Sequence, residues 1–257
     1  MAPAPRRLPL RISAGLFAFV FWLPSLAVGD LVIGLLPASS ASSHAAGNLA
    51  YGVVGAVLIA PAFATLTRRP ERKIASLQQI ALVVVALACA AVASGSGIGL
   101  AGAAVALVPL LVVLALHPGR RDVFRLPCRP SAPLLGLGVL AVVPALAYAW
   151  KTASNGRADL PPEDSYAYVP TVWSAATAMA LAVILVASLA GLRPPGWRVS
   201  ATCSGTAAFL FGIASIINPH IAASGGRGWG AAAITWSLAW GVMTVRESRA
   251  EEKRERG

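Results

Sequence analysis

Four side chains of this 257-residue sequence could do chemistry together: Asp30, His44, Asn218 and His220. Asp30 is the only carboxylate inside a long apolar run, where a charge is costly unless it points into a bundle or a wet cavity. Two imidazoles beside a carboxylate can hold a metal ion or relay a proton. The spacing of the four matches no metal or catalytic motif, however. In the alternative reading Asp30 is interfacial and meets water, Lys151, Arg157 or Arg227, while His44, Asn218 and His220 are solvated loop and helix-end residues. No catalytic, cofactor or metal ligand is therefore assigned, and no cofactor is expected. Asp30, His44, His220 and Asn218 stand as a speculative polar site.

Other groups are weaker candidates. Ser76, Gln78 and Gln79 could face a substrate path or simply bond neighbouring helices. His117, beside Pro118 and Arg120, reads as interfacial. Cys89, Cys128 and Cys203 form no CxxC pair and fall in no oxidising loop, so they read as small packing residues. Gly97, Gly99 and Gly102, with Gly226, Gly228 and Gly230, superficially match phosphate loops, but no strand precedes them. Their mechanical reading is close backbone approach at helix entrances.

The elements that must carry these residues follow from composition. Hydrophobic residues make up 57% of the chain and charged residues 12%, with mean hydropathy +0.71. Soluble domains carry about 25% charged residues. Lipid must therefore cover much of the surface, and the bilayer is the expected partner. The net charge of +11 sits in short clusters between apolar runs with no aromatic-interleaved basic surface. That distribution is topogenic and speaks against nucleic-acid binding.

The expected fold is an all-α polytopic bundle of eight transmembrane helices, at residues 12–36, 47–67, 74–93, 98–116, 134–150, 166–192, 199–217 and 229–245. Residues 1–245 form one transmembrane domain and 246–257 a charged tail, which could continue the last helix with Glu252 and Arg256 one turn apart. The first run exceeds the ~7–15 residues of a signal-peptide core, so it reads as an uncleaved helix kinked at Pro24. SGSG at 94–97 is a tight turn. Lys151–Glu163 is a polar loop ending at Asp159, Glu163 and Asp164. Trp150, Tyr166, Tyr168, Trp197 and Trp229 read as interface anchors, and Trp22, Trp173, Trp236 and Trp240 as deeper packing residues.

Charge tests the count. Eighteen of the 21 Lys and Arg residues lie before span one, after spans two, four and six, or in the tail. Only Lys151, Arg157 and Arg227 fall on the other side. Such asymmetry puts both termini in the cytoplasm of a multi-pass cell-membrane protein. The Ala, Gly, Arg and Pro bias points to a bacterial inner membrane.

The halves also resemble each other. RISAG…LPSLAV in span one parallels RPSAP…VPALAY in span five, and GIGLAGAAVAL in span four parallels GRGWGAAAITW in span eight. Copies of four spans would be parallel, related about the membrane normal; abundant Ala and Gly also produce such matches by chance. Three functions remain: a small-molecule or ion transporter, suggested by the kinking prolines and Asp30; a non-catalytic accessory or assembly component, suggested by the scarcity of intramembrane polar groups; and a membrane-embedded enzyme, for which convergent acids or nucleophiles are lacking. A mid-membrane polar cavity lined by both halves would favour transport, an outer-face cavity joining Asp30 to both histidines an enzyme or metal site, and a solid apolar bundle the accessory role.

Overall fold

The structure, a computed structural model, describes residues 7–23, 27–37, 45–68, 70, 73–121, 123, 129–158, 171–221 and 223–256. These residues are helical, with no strand among them. Six helices are long and apolar enough to cross a bilayer: Gly47–Leu66, Ile74–Ser94, Gly97–Leu116, Ala132–Arg157, Val172–Leu192 and Trp197–Ile217. The all-helical bundle expected from the sequence is therefore observed, with differences at its fifth and last segments.

The first segment is described in two pieces, α1 (Arg7–Trp22) and α2 (Gly29–Leu35). Between them the Ala27 N–H donates to Leu23 O at 3.1 Å, four residues back. Leu23 leaves the helix directly before Pro24, as the steric restriction on a pre-proline residue requires. Pro24 itself lies outside the described residues. Both pieces lie antiparallel along the same partner, which comprises α3 (Ala45–Gly52), a π-helical stretch at Val53–Ile59, and α4 (Ala60–Leu66). Phe17 and Phe21 meet Phe63 with ring centroids 5.6 and 5.9 Å apart. Further along, Gly55 faces Ala27, Gly52 faces Leu31 and Gly34 faces Leu49. A Cβ on Gly52 would stand 2.5 Å from the Leu31 nitrogen, so the two backbones touch. The widened π turns thus sit beside Phe21 and Ala27, where Gly55 faces both. π-helical turns are rare and are seldom placed by chance.

The 94–97 turn forms as expected. Gly95 closes α5 (Ile74–Ser94) in the left-handed conformation at φ 69°, open to glycine at no steric cost. Ser96 then caps α6 (Gly97–Leu116), accepting from the Gly99 N–H at 3.0 Å.

The fifth helix corrects the expected end at residue 150. α7 (Ala132–Arg157) continues through KTASNGR for another seven residues. Tertiary contacts hold that polar stretch in the helix. Thr152 Oγ1 shares a 2.7 Å hydrogen bond with Thr177 Oγ1, and Gly156 abuts Ser94 and Trp173. Lys151 to Arg157 therefore belong to a helix rather than a loop; Asp159, Glu163 and Asp164 lie outside the described residues.

α8 (Thr171–Leu192) and α9 (Trp197–Ile217) follow. The last expected span and the tail form one continuous helix, α10 (Gly226–Arg256). α10 runs antiparallel to α9 along its whole length: Gly230 abuts Gly212, Trp240 packs on Gly205, and Glu252 reaches Arg198.

The α3–α4 rod, α5, α8 and α9 form the centre, with 78, 67, 72 and 50% of their apolar windows buried, against 22 and 17% for α6 and α7. Around that centre stand α1–α2, α6, α7 and α10. Val105 on α6 and Val139, Leu140 and Val143 on α7 are exposed, as a lipid-facing surface requires. Neighbour relations repeat between the halves. α1–α2 lies on the α3–α4 rod as α7 lies on α8, and the rod meets α5 as α8 meets α9. α5 meets α6 as α9 meets α10, and α1 touches α6 as α7 touches α10. Across the halves, the rod meets α9 as α5 meets α8.

The basic connectors gather at one end. There His117 Nε2 lies 3.1 Å from the Pro70 carbonyl, the Ala75 N–H donates to Pro195 O at 3.1 Å, and the Ser131 N–H donates to Gly191 O at 2.9 Å. At the opposite end Asn218 Nδ2 donates to Leu36 O at 3.1 Å, and the Tyr148 hydroxyl donates to Ala223 O.

Two tryptophans reverse expectation. Trp22, expected to pack deep, is 62% exposed; Trp197, expected at the interface, is 2% exposed because Arg193 stacks on it at 5.0 Å. Of the glycines expected to allow close approach, Gly99 and Gly230 do so, whereas Gly97, Gly102 and Gly228 face open space.

Candidate functional site

The residues singled out by type are dispersed over one end of the bundle. Asp30, second residue of α2, is half-buried and makes no hydrogen bond or ion pair among the described residues. Arg157 instead sits over the Trp150 ring at 5.7 Å. Asn218 is buried, and its amide is engaged with the Leu36 carbonyl, joining the end of α9 to the end of α2. His220 is exposed in the turn beyond α9. His44 lies outside the described residues. Among those described, no group of three His, Cys, Asp or Glu side chains is placed to hold a metal ion.

The α5 amides bond neighbouring segments. Gln79 Nε2 donates to the Leu58 carbonyl of the π-helical stretch at 2.6 Å, and Gln78 Nε2 donates to Val123 O at 2.8 Å. Ser76 and Thr65 hydroxyls lie 2.7 Å apart. A π turn misaligns the regular carbonyl ladder, and Gln79 supplies a donor where one carbonyl needs it. His117, expected at an interface, is buried at 2% exposure. Its Nδ1 accepts from the Gly119 N–H at 3.1 Å, so Nε2 carries the proton and donates to Pro70. Cys203 is buried, Cys89 is exposed, and Cys128 lies outside the described residues.

Two constellations were missed by sequence reasoning. The first is a cleft of about 430 Å³ walled by α7 and α10 and floored by α8 and α9. Alanines open it, with Ala141 and Ala145 on α7, Ala180 on α8, Ala207 and Ala208 on α9 and Ala232 on α10, and Val183, Ile184 and Phe211 complete its apolar lining. Toward the basic end it closes where Trp236 Nε1 donates to Leu137 O at 2.8 Å. Tyr148, Lys151, Ser224 and Trp229 line it toward the opposite end. Because α7 and α10 are both peripheral, the gap between them opens on the lipid-facing surface. The clustering of alanines on four helix faces was the available signal, but alanine is so common here that no single position stood out.

The second constellation is an ionic clasp at the basic end. Arg193 Nη1 lies 2.8 Å from Glu247 Oε2 and its Nη2 lies 3.6 Å from Glu251 Oε2, with the Arg193 side chain 8% exposed. Arg198 reaches Glu252 at 2.9 Å, and the Trp197 indole N–H donates to Glu251 at 3.1 Å. The tail is thus docked on the α8–α9 connector, and Glu252 pairs with Arg198 on another helix. Glutamates four residues apart facing RPPGWR were the legible hint.

Six apolar crossing helices, a lipid-facing apolar belt and basic connectors at one end define a polytopic α-helical membrane protein. No protein-family model, curated protein or solved structure matches the chain, so the function is argued from the geometry alone.

Proposed function

We propose that the chain crosses the membrane eight times with both termini in the cytoplasm. The α1–α2 segment and α10 each run the length of a crossing helix, and the lysines and arginines concentrate at the end that holds both termini. The repeated neighbour relations support a parallel 4+4 arrangement. Reporter fusions test this: fusions at the tail and within the first ten residues should both report cytoplasm, and those near residues 38 and 222 the outer side. A tail reporting outside would overturn eight crossings.

We infer that the protein is a small-molecule transporter for a membrane-dissolved molecule and not for a polar solute. The cleft is apolar and belongs to helices α7 to α10 alone, so it is not the polar cavity lined by both halves that would mark polar-solute transport. The observation that carries this reading is the alanine-lined cleft open to lipid. Polar solutes and ions fit it poorly, since apolar walls would leave their hydrogen-bonding groups unmet. Asp30 lies on the other half of the bundle and contributes nothing to its lining. In proteoliposomes, a fluorescent acyl probe loaded in the inner leaflet should become accessible to external dithionite faster with the protein than without it. Ala208→Trp and Ala180→Trp, which fill the cleft, should return the rate to that of empty vesicles. Equal rates for wild type and empty vesicles would sink the transport reading and leave the accessory role. That second reading draws on the central α3–α4, α5, α8 and α9 core, where the Gln78 and Gln79 Nε2 groups donate to neighbouring carbonyls while their Oε1 atoms have no hydrogen-bond partner among the described residues.

A further inference from the structure

We propose that the α7–α10 cleft holds the single chain of an anionic amphiphile, with Lys151 pairing with its carboxylate or phosphate. The inference rests on the cleft being the binding site, and deepens that reading by naming the ligand class. Four observations converge on it.

First, the size suits one chain. A volume of about 430 Å³ holds roughly 14 groups of water size at ~30 Å³ each. A methylene is of similar bulk, so an acyl chain of about 12–16 carbons is of the same order as this space. Second, the walls and floor are apolar, with Met179, Val183, Ile184 and Phe211 beside the alanines, so the chain needs no hydrogen-bonding partner along its length. Third, the polar atoms around the cleft are mostly committed. The Tyr148 hydroxyl donates to Ala223 O, the Trp236 indole to Leu137 O, and Ser224 Oγ accepts from the Gly226 N–H at 3.1 Å. Fourth, Lys151 is the one cation in the lining, and no carboxylate among the described residues pairs with it. A cation at the mouth of an apolar slot selects a chain that ends in an anion over a neutral or zwitterionic one.

Trp229 and Trp236 line the cleft and make binding observable. The full chain, purified in a non-quenching maltoside detergent, is titrated with dibromostearate, its methyl ester, a dibromoacyl lysophosphatidic acid and a dibrominated phosphatidylcholine, since bromine quenches indole fluorescence on contact. Saturable quenching by dibromostearate or by the lysophosphatidic acid is expected. The stronger of the two identifies the headgroup as carboxylate or phosphate. A Trp229→Phe, Trp236→Phe variant should lose most of the quench. Lys151→Gln, at an exposed position where folding is not at stake, should weaken binding about tenfold, the worth of one charge-assisted contact. Methyl ester binding as tightly as the acid, or Lys151→Gln binding unchanged, would overturn the headgroup assignment, with Lys151 then merely extending its ammonium to water. Phosphatidylcholine quenching as strongly as the single-chain anions would overturn the one-chain assignment. Absence of saturable quenching would overturn occupancy altogether. Quenching with no acceleration of probe movement in vesicles leaves the ligand assignment standing and removes transport, so the two readings fail separately.

Discussion

Trp240→Ala is expected to lower stability by about 3 kcal/mol, the low end of the cost of truncating a buried tryptophan. The side chain is fully buried. It stacks on Trp236 with centroids 5.0 Å apart and donates its indole N–H to Ala201 O at 2.8 Å. Its ring occupies the notch left by Gly205, where a Cβ would come within 3.0 Å of it. The low end is chosen because transfer from lipid to protein interior gives little hydrophobic gain; the loss consists of packing contacts and the indole hydrogen bond. Denaturant unfolding of the purified chain in mixed micelles measures it, with Trp150→Ala as the reference, since Trp150 is 69% exposed. Trp240→Phe should fall between the two. Equal midpoints for Trp240→Ala and Trp150→Ala would mean that the α9–α10 contact is not what holds this end of the bundle.

The second large effect belongs to the ionic clasp. Replacing Glu247 and Glu251 together by glutamine is expected to destabilise the α9–α10 hairpin by about 3 kcal/mol, because it leaves a buried guanidinium without a counter-charge. Arg193 is the reason: its side chain is 8% exposed and faces both carboxylates. Each single substitution should cost less than half as much, since the other glutamate remains within reach. Glu252→Gln is the contrast. Its partner Arg198 is 44% exposed, and such a pair contributes about 0.5 kcal/mol and fades with added salt. The midpoint shift of the double variant, compared with that of Glu252→Gln at low and high salt, decides the matter. If both variants shift alike, the clasp is a surface pairing without structural weight.

Much of the helical layout is legible in the sequence. The 94–97 turn forms as expected because Gly95 can adopt the left-handed conformation and Ser96 can cap α6, both properties of the local chain. At Pro24 the sequence predicts a kink; Pro24 lies outside the described residues, and beside it the Ala27 N–H donates to Leu23 O at 3.1 Å. The end of α7 is hidden because KTASNGR is polar by composition, while Thr177, Ser94 and Trp173, all distant in sequence, keep it helical. The chemistry is harder to read than the fold. Asp30 and His220 draw notice by residue type, yet the cleft is opened by alanines that carry no chemical signature.

Composition and connector charge were sufficient for the class of protein, since hydropathy and positive charge act on each segment independently of its neighbours. Which helices form the centre, where α9 and α10 touch at Gly212 and Gly230, and where the wall between α7 and α10 parts were settled only by packing. Those features depend on the shapes of side chains far apart in the chain. A glycine that touches backbone, such as Gly52, and one that faces open space, such as Gly102, are identical letters until the partner helix is in place.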